Sequence, residues 1–387
     1  MTAKDILGNS DYTAISYGGY RKISRDSQPT IQEIKNDMKL LSAMGVKIVR
    51  TYNVQLQQAP NLLKAITELK EENPSFEMYV MLGIWIDCLN AWRDEMPNHD
   101  IESPENEGEV ERAIALAKKY PDIVKVLAVG NEAMVRWATS YFVQPNVILR
   151  WVNHLQDLKK EGGLSKDLWI TSSDDFSSWG GGDHSYRTKD LENLIKAVDY
   201  VSMHTYAYHN THYNPEFWGI PQEENSLSEI EKIDNAMKRA IKFSKEQYNS
   251  TVKYVKSVDA DKEVHIGETG WASVSNGFYG NNGSKATDEY KQGLYYKLMR
   301  EWTDNSGISC FYFEAFNEKW KDAHNPAGSE NHFGLFKING EAKYPIWDLV
   351  DKGIFKGLKR NGNTITKTYN GNIKELMPHV LVPTTKH

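Results

Sequence analysis

The sequence predicts an α/β fold closed as a (β/α)8 TIM barrel, a single domain with decorated βα loops. Three observations point there. Short β-branched or aromatic runs alternate with longer stretches of helical period along all 387 residues, the strand candidates number eight, and no Ser/Pro-rich linker or internal repeat interrupts the series. A content of 40% hydrophobic and 25% charged residues leaves ample apolar surface for a large core and excludes a disordered or fibrous chain. A doubly wound open sheet ranks second, because Tyr17-Gly18-Gly19-Tyr20-Arg21 after the first strand has the wrong spacing and bulky aromatics for a phosphate loop.

The strand candidates are Tyr12–Tyr17, Val46–Tyr52, Glu77–Trp85, Val124–Gly130, Leu168–Ser172, Tyr200–Thr205, Val264–Gly267 and Ile308–Phe313. After the first, Thr30 and Glu33 form a capping box, Ile31, Ile34, Met38 and Leu41 share one helical face, and Gly45 ends the helix. Helical patterns follow at Ala59–Glu72, Glu105–Tyr120, Val147–Glu161, Lys189–Ala197, Glu229–Val255 and Asp288–Asp304, with a last one near Ile346–Lys352. Residues 353–387 are polar and poorly periodic, and read as an extension wrapped on the surface.

The net charge of −6 and the lack of a Lys/Arg stripe argue against nucleic acid as a partner. No stretch is long and apolar enough to span a membrane, the opening MTAKDILGNS lacks the plan of a secretory signal, and nothing specifies an oligomer. Cys88 and Cys310 fall by the third and eighth strands, which are not neighbours, so a bridge between them is not expected. His204, His209 and His212 read as polar loop histidines in a non-helical segment, with His204 against a sugar or Tyr206. No metal or other cofactor is expected.

In a barrel, reacting groups project from the C-terminal ends of the strands. Asn131-Glu132 follows the fourth strand and Glu268-Thr269-Gly270-Trp271 ends the seventh, so two acids meet at the barrel mouth. Cleaving a glycosidic bond needs such a pair, one protonated to donate to the leaving oxygen and one ionised to meet the cation-like sugar. Aromatics at strand ends, Tyr17, Tyr52, Trp85, Trp137, Trp179, Trp271 and Trp320, suit the apolar faces of sugar rings. Glycine-rich loops at 174–182 and 277–283 read as cleft walls.

The chain resembles glycoside hydrolase family 17, the β-1,3-glucanase-like family of retaining (β/α)8 enzymes. The resemblance is carried by Val129-Gly130-Asn131-Glu132, Ile266-Gly267-Glu268-Thr269-Gly270-Trp271 and Phe313-Glu314-Ala315-Phe316-Asn317-Glu318-Lys319-Trp320-Lys321, with Val49-Arg50-Thr51-Tyr52-Asn53, His204-Thr205-Tyr206-Ala207-Tyr208, Phe333-Gly334-Leu335-Phe336 and Tyr344-Pro345 in support. It implies Glu132 as acid/base, Glu268 as nucleophile, Asn131 on the sugar 2-hydroxyl and Tyr206 orienting Glu268, with carboxyl groups about 5 to 5.5 Å apart. Tyr52, Trp271 and Trp320 are expected to bind substrate, and Glu318 with Lys321 to form a binding floor and a charge pair that tunes Glu268, or else a buried structural salt bridge. The implied activity is endo-cleavage of laminarin-like β-1,3-glucan outside the cytoplasm, secreted or periplasmic. Transglycosylation by the same residues, β-1,4-mannan or β-1,4-glucan hydrolysis, and a non-catalytic glycan-binding barrel are the alternatives.

Overall fold

In a computed structural model that describes residues 1–385, eight parallel strands close into a barrel. They are β1 (Thr13–Ser16), β2 (Val46–Arg50), β3 (Tyr79–Ile84), β4 (Val124–Asn131), β5 (Trp169–Asp175), β6 (Val201–His204), β7 (Val264–Gly270) and β8 (Cys310–Phe313). All eight predicted strands are present within a few residues of their expected ends. Closure comes from β1 pairing with β8, Ile15 opposite Tyr312. The crossover helices are α1 (Ile31–Ala43), α2 (Gln58–Glu72), α3 (Glu105–Lys119), α4 (Pro145–Lys160), α5 (Lys189–Ala197), α6 (Glu229–Val258), α7 (Glu289–Asn305) and α8 (Trp347–Asp351). The Thr30–Glu33 capping box forms in both directions, and Ile34, Met38 and Leu41 of α1 are buried against the barrel.

Side chains alternate along each strand, and the barrel interior changes character from bottom to top. Ala14, Ile48, Met81, Val126, Tyr200 and Phe311 pack with Ile6 and Leu7 of the N-terminal turn into an apolar plug. Two residues further along β2 and β6 stand Arg50 and Ser202, and His204 follows, all buried. Apolar packing thus closes the bottom, while the top of the same interior is polar and hydrogen-bonded. A barrel strand can do both because only its period, not its polarity, is set by the sheet.

The segment after α8 does more than cover the surface. Arg360, fully buried, pairs with the fully buried Asp37 of α1 at 3.0 Å and lies 4.0 Å over the Phe316 ring. Asp37 also meets Arg21 at 2.9 Å and the Tyr17 hydroxyl at 3.0 Å. Arg360→Ala is therefore expected to cost about 3 kcal/mol, the low end for breaking a buried pair because Arg21 remains beside Asp37. A urea midpoint equal to that of the native protein would refute this. Cys88 and Cys310 are both free thiols, and Cys88 lies in an antiparallel hairpin (Cys88–Leu89 with Asn98–Glu102) above the barrel.

Candidate active site

The ends of β4 and β7 deliver the two acids by different backbone devices. At β4, Gly130 adopts a φ of +83°, where a Cβ would come within 2.8 Å of the Ala133 Cβ, and Glu132 itself has a φ of +46°. A left-handed non-glycine residue carries strain of roughly 1–2 kcal/mol. The Glu132 amide donates to the Ser173 carbonyl at 2.9 Å, holding the turn in place. At β7, Gly267 precedes the acid, because any side chain there would strike the hydroxyls of Ser202 and Ser173 at 2.1 and 2.4 Å. The missing side chain lets the strand close over the polar interior and present Glu268.

One network joins the acids. His204 Nδ1 lies 3.0 Å from Glu132 Oε1 and 3.7 Å from Glu268 Oε2. Its Nε2 faces Ser173 Oγ at 2.7 Å and Arg50 Nη1 at 3.3 Å. A guanidinium only donates, so Nε2 accepts and the ring proton is assigned to Nδ1, toward Glu132 Oε1. Glu132 Oε2 is then the oxygen free to carry a transferable proton. Arg50 also donates to Glu268 Oε1 at 2.9 Å, the Gly267 carbonyl at 2.6 Å and Asn131 Oδ1 at 2.6 Å. Tyr206 donates to Glu268 Oε2 at 2.7 Å.

These surroundings push the two carboxyls apart. Burial raises Glu132, the nearby Glu268 charge raises it further, and against the pull of Arg50 it reaches about 8. Burial also opposes ionisation of Glu268, but the His204 ring, the Arg50 guanidinium and the Tyr206 and Tyr52 hydroxyls outweigh it and hold that carboxyl below its ordinary value. Burial drives His204 down to about 4, so it is neutral near pH 7, and Arg50 supplies the permanent charge. One donor atom each from Glu132, His204 and Glu268 lies within 4.8 Å of the others. Such a triad could take a cation, but Arg50 already sets its guanidinium against two of the three.

The acids open into a cleft of about 2020 Å³ lined also by Asn131, Tyr52, Tyr206, Glu318, Trp320 and Lys321. Trp271 does not join them. It is fully buried behind β7, its indole donates to the Ala286 carbonyl at 2.8 Å, and it packs on Tyr208 and Trp218. The expectation that it stacks sugar is therefore corrected: the apolar ring is core. Trp179 is likewise core, whereas Trp137 is 64% exposed in the cleft. His204 is also corrected, since it is buried under the acids instead of facing substrate. His209 and His212 sit on a short helix, Ala207–Tyr213, against Tyr279 and Phe278, so that segment is helical after all.

Glu318 and Lys321 face the cleft but are largely engaged. Glu318 accepts from the Tyr20 amide at 2.8 Å and the Trp320 indole at 3.1 Å. Lys321 sits closer to Glu314, at 2.8 Å, than to Glu318, at 3.6 Å. Burial pushes Glu314 up to about 8 despite Lys321. The cation that tunes Glu268 is Arg50 from β2, not Lys321 from beyond β8. In the sequence Arg50 stands out only as a charge that ends an apolar strand, and nothing local gives it a role. The cleft-lining Trp92 is singled out by no pattern in the sequence and Glu314 is given no role there, whereas Asp175 lines the cleft from the loop read as its wall.

A family model described as the BtgE/BtgC glycoside hydrolase domain matches residues 14–334. A putative glucan endo-1,3-beta-glucosidase btgC of Aspergillus niger is 24% identical over 335 residues, 84% of this chain and 40% of its own length, so the chain spans about two-fifths of such relatives. A glucan 1,3-beta-glucosidase of Arthroderma benhamiae is 24% identical over 83% of this chain and 86% of its own. Among solved structures, an endo-laminarinase from Formosa is 63% identical with a TM-score of 0.99, covering 100% of this chain and 98% of that one. A glycoside hydrolase family 17 β-1,3-glucanosyltransferase from Rhizomucor miehei shares the fold, with 22% identity, a TM-score of 0.57, and coverage of 85% and 94%.

Proposed function

The chain belongs to the BtgE/BtgC glycoside hydrolase domain family, and from that premise we propose that it is a retaining endo-β-1,3-glucanase of the family 17 type, acting on laminarin-like chains. The observation that carries the reading is the pair Glu132 and Glu268, with oxygens within 4.8 Å of each other and surroundings that raise the first carboxyl and lower the second. Oxygens this close suit the roughly 5–5.5 Å carboxyl spacing of a retaining pair better than the roughly 6.5–9.5 Å of an inverting one. The 63% identity to an endo-laminarinase over nearly its whole length supports the substrate and the endo mode.

In the first step Glu268, ionised and oriented by Tyr206 and Arg50, attacks the anomeric carbon while Glu132 protonates the departing oxygen. The C–O bond to the leaving chain breaks as the bond to Glu268 forms. Glu132, now a carboxylate, then takes a proton from water as that water displaces Glu268, which restores both acids. Asn131, its Oδ1 held by Arg50, keeps its amide N–H groups for the sugar 2-hydroxyl. No helix among the described residues is long and apolar enough to cross a membrane. A polymer of this size is met outside the cytoplasm, so we place the enzyme in a secreted or periplasmic setting.

Two measurements test this reading. Laminarin, mixed-linkage glucan, cellulose and mannan are incubated in parallel and products resolved by size over time. Early release of an oligomer ladder from laminarin is expected; silence on laminarin with turnover elsewhere overturns the specificity. Turnover also requires Glu132 protonated and Glu268 ionised, so the pH–rate profile of the pair should be bell-shaped. Rate is lost as pH rises through about 8, where Glu132 loses its proton, and at acid pH only below the ordinary carboxylate range, where Glu268 gains one. A profile falling from pH 6 upward contradicts the assignment.

A further inference from the structure

We propose that the loops following β3 and β4 form a distal glucan subsite, in which the open face of Trp92 stacks a glucose unit away from the scissile bond. The inference rests on the β-glucanase reading above and adds to it a second place where the chain is held. Trp92 is 62% exposed yet is not loose. One face lies on Tyr141, with ring centroids 4.9 Å apart and planes 21° apart, and the other is open. Tyr141 in turn carries Trp85 at 5.4 Å. Trp85, Trp92 and Trp137 all line the cavity that holds Glu132 and Glu268, so the surface is continuous with the catalytic cleft.

The wall is built to stay rigid. Val135, Ala138 and Tyr141 form a hydrophobic cluster of their own, separate from the barrel core, against which Trp85, Ala91 and Phe142 pack. The hairpin Cys88–Leu89/Asn98–Glu102 is tied to the β4 loop by Cys88 N donating to the Tyr141 carbonyl at 3.1 Å and Trp92 N to the Ser140 carbonyl at 3.3 Å. Asn90 and Trp92 both hold left-handed backbone, φ 64° and 61°. Strain at an exposed tryptophan, with no burial to compensate it, fits a side chain aimed for a ligand. Asp87, which lines the same cavity, accepts a hydrogen bond from the Trp85 indole at 3.2 Å.

Aromatic faces with carboxylate edges between them match the alternating C–H faces and hydroxyl rims of a glucan. Kinetics on a laminarioligosaccharide series from trimer upward test the subsite. For Trp92→Ala, the ratio of kcat/KM on long chains to that on the trimer is expected to fall about tenfold, the size of one lost stacking contact, and Trp92→Phe to restore most of it. A structural role would lower all lengths together, and an unchanged ratio overturns the subsite while leaving the hydrolase reading intact. Failure of the native enzyme to cut any length overturns both.

Discussion

Glu268→Gln is expected to abolish turnover of laminarin, with a loss on the order of 10⁴-fold or more, because the amide cannot form the glycosyl-enzyme. The substitution leaves the buried Arg50 without its counter-charge, so some stability is lost with the activity. Arg50 and Tyr206 both donate to Glu268, at 2.9 and 2.7 Å, and the amide oxygen can still accept from one of them, so a urea melt of the variant separates lost chemistry from lost fold. Glu132→Gln is expected to lose about 10²–10⁴-fold on laminarin, and much less on an aryl glucoside whose leaving group departs without a proton. Alanine variants separate the two acids by rescue. In Glu132→Ala the glycosyl-enzyme still forms, and azide intercepts it to give a β-glycosyl azide; in Glu268→Ala azide attacks from the vacated face and gives the α product. A β azide from the Glu268 variant would reverse the assignment of the two acids.

Arg50→Gln carries the second large effect. The guanidinium, 1% exposed, donates to Glu268, Asn131 and the Gly267 carbonyl. Removing it leaves a buried carboxylate without its counter-charge, for an expected stability loss of about 3 kcal/mol and a rate loss of about 10²–10³-fold. Arg50 lowers both Glu132 and Glu268, so its loss should raise both. Both limbs of the pH–rate profile then move toward higher pH, the acid limb because Glu268 ionises later. Arg50→Lys should not rescue, since one ammonium on a flexible stem cannot reproduce the planar fork that spans several acceptors. A lysine variant with native activity and an unmoved profile would show that only the charge matters.

The barrel and the two acids were legible because each is written locally. Strand periodicity, the Thr30–Glu33 box and the run Val124–Gly130 ending in Asn131-Glu132 depend on neighbours along the chain. Trp271 and Trp92 show where that logic stops. Both are tryptophans beside glycine, polar or turn residues, yet one is sealed behind β7 and the other stands open on a hairpin. No local pattern separates a ring that faces the helices from one that faces the cleft, because the choice is made by which loop packs over it.

The βα alternation, the order of the motifs, and the placement of Glu132 and Glu268 at the ends of β4 and β7 are all readable along the chain, since period and chain order carry that information. Why one of these carboxyls is raised and the other lowered is a matter of tertiary contact. That depends on Arg50 from β2 and His204 from β6 meeting Glu132 and Glu268 inside one barrel, 154 residues apart in sequence for Arg50 and His204 and 218 for Arg50 and Glu268. Electrostatic coupling falls with distance through a poorly polarisable interior, so it is set by closure of the barrel, which linear spacing does not express.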